Sequence, residues 1–259
     1  MPNKAKRTPD VAQIEGWAAN GYLIIGRKIV AVDPGVPRIA REMVDYVEKE
    51  LGRPAGDITL AAVTHFHIDH IGGLGALQEL TGCGIALPAK ARPFVEERRR
   101  IPFPRPRRWL HMVYTDNWQR NPTPQLKDIR EIPLLGLPFY SPPCPFRVDT
   151  WLEDGQKMPD APGWKVLYTP GHSADSICFW HASSGSLMSG DMVLGNHNGP
   201  PQANAYCLSR TQTKASLKRL LELPVRRLYP GHGPQQQADE LLDGILDTLS
   251  EDPRLLGRF

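Results

Sequence analysis

Twelve of the 26 prolines in this chain of 259 residues fall between Pro88 and Pro145, a stretch of 58 residues, while the other 14 are spread over the remaining 201. Proline fixes φ and has no amide hydrogen to donate, so neither a long helix nor a central strand passes through such a segment. The chain is thus expected to fold as two patterned parts joined by a lobe of loops and short helices. The lobe also collects charge. Residues 88–113 carry eight Lys or Arg against Glu96 and Glu97, a net +6; with a formal +3 for the whole chain, the rest stands at 3 − 6 = −3.

Several classes are excluded by the remaining composition. Hydrophobic residues make up 41% of the chain, enough to fill a core and too many for global disorder. The best apolar run, 21–32, is interrupted by Arg27 and Lys28, so no membrane span is expected. Residues 1–10 are basic and polar with no apolar stretch behind them, which argues against a secretory signal and for a cytoplasmic location. Cys83, Cys144, Cys178 and Cys207 form no CxxC pair, so reduced structural thiols are expected rather than a disulfide framework or a Cys-rich zinc site.

Residues 21–32 read as a β-hairpin ending at Asp33-Pro34-Gly35, and 38–51, with Ile39, Met43, Tyr46, Val47 and Leu51 near a 3.6 period, as an amphipathic helix. Strands are expected at 58–64, 85–88, 164–169, 176–181, 186–189 and 226–229, and helices at 72–80, 211–221 and 239–249. Gly73 would let the second helix sit close to the strand it leaves. Strands outnumber helices and alternate with them, the pattern of sheets covered by helices.

Five of the eight histidines lie in three places. His65-Phe66-His67-Ile68-Asp69-His70 offers four metal-binding side chains within six residues. On an extended exit from a strand, 65, 67 and 69 alternate to one side, and a turn into the next helix brings His70 beside them. Two strands then end alike, Thr169-Pro170-Gly171-His172 and Tyr229-Pro230-Gly231-His232, as if both pointed at one site. Ser189-Gly190-Asp191 adds a carboxylate at another strand end; taken alone it is a turn. Imidazole and carboxylate suit zinc, iron or manganese. Ser173 and Ser176 beside His172 read as turn residues rather than a nucleophile pair.

These motifs resemble the metallo-β-lactamase superfamily, whose pattern is His-x-His-x-Asp-His, a separate His, a Gly-Asp and a final Gly-His, all present here in order. The resemblance covers roughly 21–88 and 164–234. It implies an α/β fold, an αββα sandwich of two mixed sheets flanked by helices, here with a Pro-rich inserted lobe. It also implies two divalent transition-metal ions, zinc first with iron or manganese as alternatives. His65, His67 and His172 would hold the first ion, Asp69, His70 and His232 the second, and Asp191 would bridge them. Hydroxide shared by two ions would attack an ester-type carbonyl, with Asp69 orienting it or taking its proton. His197 or Tyr206, in or near the polar loop after Asp191, would protonate the leaving group, although Asn-Gly in that loop is also an ordinary turn.

Within the superfamily, Asp191 stands where true β-lactamases place Cys or Ser. Glyoxalase II has a similar metal set but a helical C-terminal domain, and only 27 residues follow His232 here. The sequence around His172 looks more like thioesterase-type hydrolases, so a thioester such as acyl-CoA is the leading substrate class. A lactonase or a phosphodiesterase or nuclease on the same metals is the alternative. A mono-iron persulfide dioxygenase is disfavoured by the second ligand set.

The whole chain, 1–259, is expected to be one domain in which 89–150 is a Pro-, Arg- and aromatic-rich insertion acting as substrate lid or dimer contact. Its apolar run, 134–140, and basic run, 98–108, would receive the apolar and anionic parts of a small-molecule substrate, or be lobe core and solvated face. Nucleic acid is disfavoured because no RNA-binding motif accompanies the basic run. A homodimer through 134–140 is open.

Overall fold

The computed structural model of the protein describes residues 10–100 and 145–249. Strands β1 (Asp10–Ile14), β2 (Gly21–Ile25) and β3 (Ile29–Val32) form an antiparallel meander, followed by α1 (Pro37–Asp45). Strand β4 (Ile58–Ala62) leads through α2 (Ile68–Ile71) and α3 (Leu74–Thr81) to β5 (Gly84–Pro88) and α4 (Arg92–Glu96). Strand β6 (Thr150–Leu152) resumes after the lobe, and β3, β4, β5 and β6 pair in parallel. The second sheet is built from β7 (Trp164–Tyr168), β8 (Ile177–His181) and β9 (Ser186–Gly190), all antiparallel. A short ribbon, β10 (Val193–Leu194) with β11 (Gln202–Ala203), precedes α5 (Arg210–Leu221). Strand β12 (Arg227–Pro230) then joins β9 in parallel and β13 (Gln236–Gln237) in antiparallel fashion.

Both sheets are mixed, and both bury two faces. Alternate residues of the first sheet, Tyr22, Ile24, Val30, Val32, Leu60 and Ala62, pack against Val166, Ile177, Phe179 and Met188 of the second. Their sequence neighbours Leu23, Ala31 and Ala61 turn outward onto Ile39 and Met43 of α1 and Leu74 and Leu77 of α3. On the far side, Leu167, Cys178, Leu187 and Leu228 meet Leu217 and Leu220 of α5. The layers run helix, sheet, sheet, helix, the expected αββα sandwich, and period-2 strands between period-3.6 helices are the direct cause.

Three details depart from the expected elements. The helix expected over 38–51 is α-helical only to Asp45, and Tyr46–Glu50 forms a π-helical turn in which the Leu51 amide reaches the Tyr46 carbonyl at 3.2 Å. Gly73 packs against a turn rather than a strand: a Cβ there would overlap the Pro34 carbonyl oxygen. Residues 239–249 are not an α-helix but turns ending in a 3₁₀ segment, Ile245–Thr248, because Gly244 has φ +72°, outside helical space.

Of the 89–150 insertion, the structure describes only residues 89–100 and 145–150. Arg98, Arg99 and Arg100 are exposed. The apolar run 134–140 and the rest of the basic run lie outside the described residues.

Candidate metal centre

The C-terminal ends of β4, β7, β9 and β12 converge at one edge of the sandwich. His65, His67, Asp69 and His70 follow β4 into α2, His172 and His232 follow the two Pro-Gly corners, and Asp191 follows Gly190 at the end of β9. Three ligand-type groups result: His65, His67 and His172; His65, His70 and Asp191; and Asp69, His70 and His232. Each group has its ligand atoms within 4.8 Å of one another. Asp191 joins the sets. Its Oδ2 lies 3.5 Å from His172 Nε2 and 3.3 Å from His232 Nε2, and its Oδ1 lies 3.4 Å from His70 Nε2. Asp69 Oδ2 lies 3.4 Å from His232 Nε2 and 3.7 Å from His70 Nε2.

The hydrogen bonds behind these rings fix which nitrogen faces inward. Thr64 Oγ1 donates its one proton to Asp33 Oδ2 (2.8 Å), so His65 Nδ1, 3.1 Å away, is the donor to Oγ1 and its Nε2 keeps a lone pair. His172 Nδ1 donates to the Tyr206 carbonyl (2.8 Å), which leaves its Nε2 likewise free. Both Nε2 atoms approach His67 Nδ1, at 3.0 and 3.1 Å. Three imidazole nitrogens so placed have one proton at most to share among them, whereas a cation satisfies all three. In the other set, His70 Nε2 and Asp191 Oδ1 are buried with no hydrogen-bond partner. Buried polar atoms left so poorly paired are costly unless a ligand takes them. Neutral imidazole with carboxylate suits a divalent transition ion, and the residues fit two such ions. Gly231 keeps the space open, since a Cβ there would overlap Asp191 Oδ1 and approach His70 Cε1 to 2.8 Å.

Residues with no sequence motif hold this set in place. Asp33, read from sequence as a turn residue, is 1% exposed and adopts φ +50°. It accepts the Thr64 amide at 2.7 Å through Oδ1, and its Oδ2 lies 3.0 Å from His70 Nδ1 in a close charge contact. Asp175 Oδ2 accepts the Phe66 amide and its Oδ1 the Ser173 hydroxyl, both at 2.7 Å, so it ties the first histidine loop to the His172 loop. The Ser173 and Ser176 hydroxyls are 2.6 Å apart, spent on this loop. Asn204 Oδ1 accepts the Tyr206 amide at 2.9 Å and so fixes the carbonyl that His172 uses. Tyr206 is buried; His197 is exposed on the turn between β10 and β11.

Charge is balanced by protons when no metal is bound. Burial pushes the His65 and His67 imidazoles down, aided by neighbouring imidazoles, His67 to about 3. Burial opposes the charged forms of His70 and His232 as well, but the carboxylates outweigh it. Asp33, Asp69 and Asp191 raise His70 well above its usual value, and Asp191 and Asp69 raise His232 to about 9. Burial likewise opposes ionisation of Asp69 and Asp191, yet His70 and His232 hold Asp69 at about 2 and Asp191 well below the ordinary range.

The pH dependence of the metal-free protein follows. His232 moves from 6.5 unfolded to about 9 folded, so its contribution is complete below 6.5 and lost as pH rises through 9. His67 moves from 6.5 to about 3, so its contribution is present above 6.5 and lost as pH falls toward 3. The Tm of the metal-free protein is expected to peak near neutrality and fall by several degrees on each side, at roughly 2–4 °C per kcal/mol. A divalent ion held by His232 would replace its proton and flatten the alkaline limb. Thermal melts between pH 5 and 10, with and without zinc, check this; a flat alkaline limb in the metal-free protein would contradict it.

A family model described as the metallo-beta-lactamase superfamily matches residues 14–232. The chain is similar to "Probable metallo-hydrolase YqjP" of Bacillus subtilis, 25% identical over 236 residues covering 82% of this chain and 66% of that protein. It is also similar to a hydroxyacylglutathione hydrolase of Bdellovibrio bacteriovorus, 25% identical over 205 residues covering 78% of this chain and 57% of that protein. The chain thus spans less than two thirds of the length of both. Among solved structures, TTHA1623 in a di-iron-bound form superimposes with a TM-score of 0.57 at 25% identity, covering 89% of this chain and 94% of that one.

Proposed function

The chain belongs to the metallo-β-lactamase superfamily, and from that premise we propose that it is a binuclear metal-dependent hydrolase of an ester-type carbonyl, with a thioester as the leading substrate class. The observation that carries this reading is the position of Asp191, whose two oxygens reach the nitrogens of His172, His232 and His70 at 3.3–3.5 Å. In this reading His65, His67 and His172 hold one ion, Asp69, His70 and His232 the other, and Asp191 both. Two divalent ions there would supply a water ionised near neutral pH and a Lewis acid for the carbonyl oxygen. Asp69, held ionised at neutral pH and with a quarter of its side chain exposed, would orient that water and accept its proton. His197 or Tyr206 would protonate the leaving group.

The thioester preference rests on two supports. The hydroxyacylglutathione hydrolase relative is named for a thioester substrate, and a thiol, with a pKa of about 8.5, leaves near neutral pH with less help from an acid than an alcohol or amine. Zinc is the first metal to consider. Iron is supported by the di-iron form of TTHA1623, and manganese suits the same donors. We assign one domain to the chain and substrate selection to the 89–150 insertion. No helix among the described residues is long and apolar enough to cross a membrane.

Turnover of an acyl-CoA, an S-acylglutathione, an acyl-homoserine lactone and a bis-aryl phosphate tests the reading directly. The highest kcat/KM is expected on one of the two thioesters, by at least about tenfold, a 1.4 kcal/mol preference at the transition state. A preference for the phosphodiester or the lactone would replace the thioester with that class on the same metals.

A further inference from the structure

The two Pro-Gly-His corners are secured from different parts of the fold, and one of them is secured by a residue far from every motif. Asn20 lies in the turn before β2, in the first sheet, and is 2% exposed. Its amide N–H donates to the Gly231 carbonyl at 2.7 Å. Its side-chain Nδ2 donates to the Pro230 carbonyl at 3.1 Å and to the Gly233 carbonyl at 2.8 Å. The Tyr22 hydroxyl donates to the same Pro230 carbonyl at 2.7 Å. Both protons of the Asn20 amide group are therefore spent on the two residues that bracket Gly231-His232. The His172 corner has no share in this. Its Pro170 carbonyl accepts from Ser216 Oγ at 2.7 Å, and its Gly171 and His172 carbonyls accept the Ser209 and Leu208 amides at 3.0 and 3.2 Å. Those donors all belong to α5 and the residues leading into it.

We infer that Asn20, assisted by Tyr22, is a positioning residue for His232 alone, and thereby sets the affinity of the second ion without setting that of the first. This rests on the two-ion reading above. A glycine flanks His232 on each side, Gly233 sits at φ +85°, and the Gly195 amide donates to the His232 carbonyl at 2.9 Å. A glycine-flanked backbone has a wide choice of conformations, and buried carbonyls deprived of their donors would repack to find others. Ligand orientation by such outer partners is commonly worth 10–100-fold in metal affinity. Asn20 and Ser216 thus act as separate locks on the two pseudo-equivalent histidines.

The test is a zinc titration of the metal-free full chain against a chromophoric chelator, with bound zinc counted by elemental analysis, on wild type, Asn20→Ala, Tyr22→Phe and Ser216→Ala. Wild type is expected to bind in two steps. Asn20→Ala should weaken the second step about 10–100-fold and leave the first within a few-fold; Tyr22→Phe should move the same step less, and Ser216→Ala should move the first instead. Equal weakening of both steps in Asn20→Ala and Tyr22→Phe, or no change in either, would overturn the inference. If Asn20→Ala does not fold, Tyr22→Phe, which removes one hydrogen bond and keeps the ring, decides alone. A single binding step in wild type contradicts the two-ion reading itself, and the inference falls with it.

Discussion

Asp191→Asn is expected to lower kcat by at least about 10³-fold, beyond the 10–100-fold typical of residues one shell out from a metal, while leaving the fold intact. The substitution keeps shape and volume and removes one charge and one lone-pair oxygen at the point where the two ligand sets meet. An amide nitrogen in place of Oδ2 would present a donor to His172 Nε2 and His232 Nε2, which lie 3.5 and 3.3 Å from that oxygen. Neither set would then be complete. Far-UV circular dichroism should be unchanged, because Asp191 follows β9 rather than lying in it. Turnover within tenfold of wild type would show that Asp191 does not join the sets.

The second large effect is expected at Asp33. Its carboxylate accepts the Thr64 amide and hydroxyl at 2.7 and 2.8 Å and faces His70 Nδ1 at 3.0 Å. Asp33→Ala leaves these buried donors unpaired, at about 1–3 kcal/mol each, and puts alanine at φ +50°, a region that Asp and Asn tolerate better. A total loss of roughly 3–5 kcal/mol in the free energy of unfolding is expected, read from urea titration. Asp33→Asn separates the two roles. It keeps the backbone conformation and an acceptor for the Thr64 amide, but offers His70 no carboxylate, so it should lose little stability and about 10–100-fold in zinc affinity. Wild-type zinc affinity in Asp33→Asn would mean that His70 is aimed by its own helix and not by Asp33.

How far each of these residues can be read in the sequence depends on how local its role is. His65, His67, Asp69 and His70 are legible because one strand exit delivers all four. His172 and His232 are legible because their corners repeat. The strand cores are legible because alternation such as Tyr22, Leu23, Ile24 puts successive residues on opposite faces. Asp33 and Asn20 are not, because a polar residue in a turn looks the same whether it faces water or a carbonyl more than 200 positions away, as Asn20 does. Asp175 is hidden for the same reason, since it holds a backbone amide of another loop, and Asn204 because its bond to the amide two residues on looks like an ordinary turn contact. The 239–249 segment reads as a helix by its apolar spacing, and Gly244, at φ +72°, prevents one. Strand β1 carries no strong alternation and is made a strand by pairing with β2.

Seven side chains that hold two ions through a shared Asp191 should show it in the metal content of each chain. The protein as isolated, and the protein stripped and reloaded with zinc, should each hold close to two transition-metal ions by elemental analysis, against at most one in Asp191→Asn. One ion or fewer in wild type after reloading, or two retained in Asp191→Asn, would contradict the account.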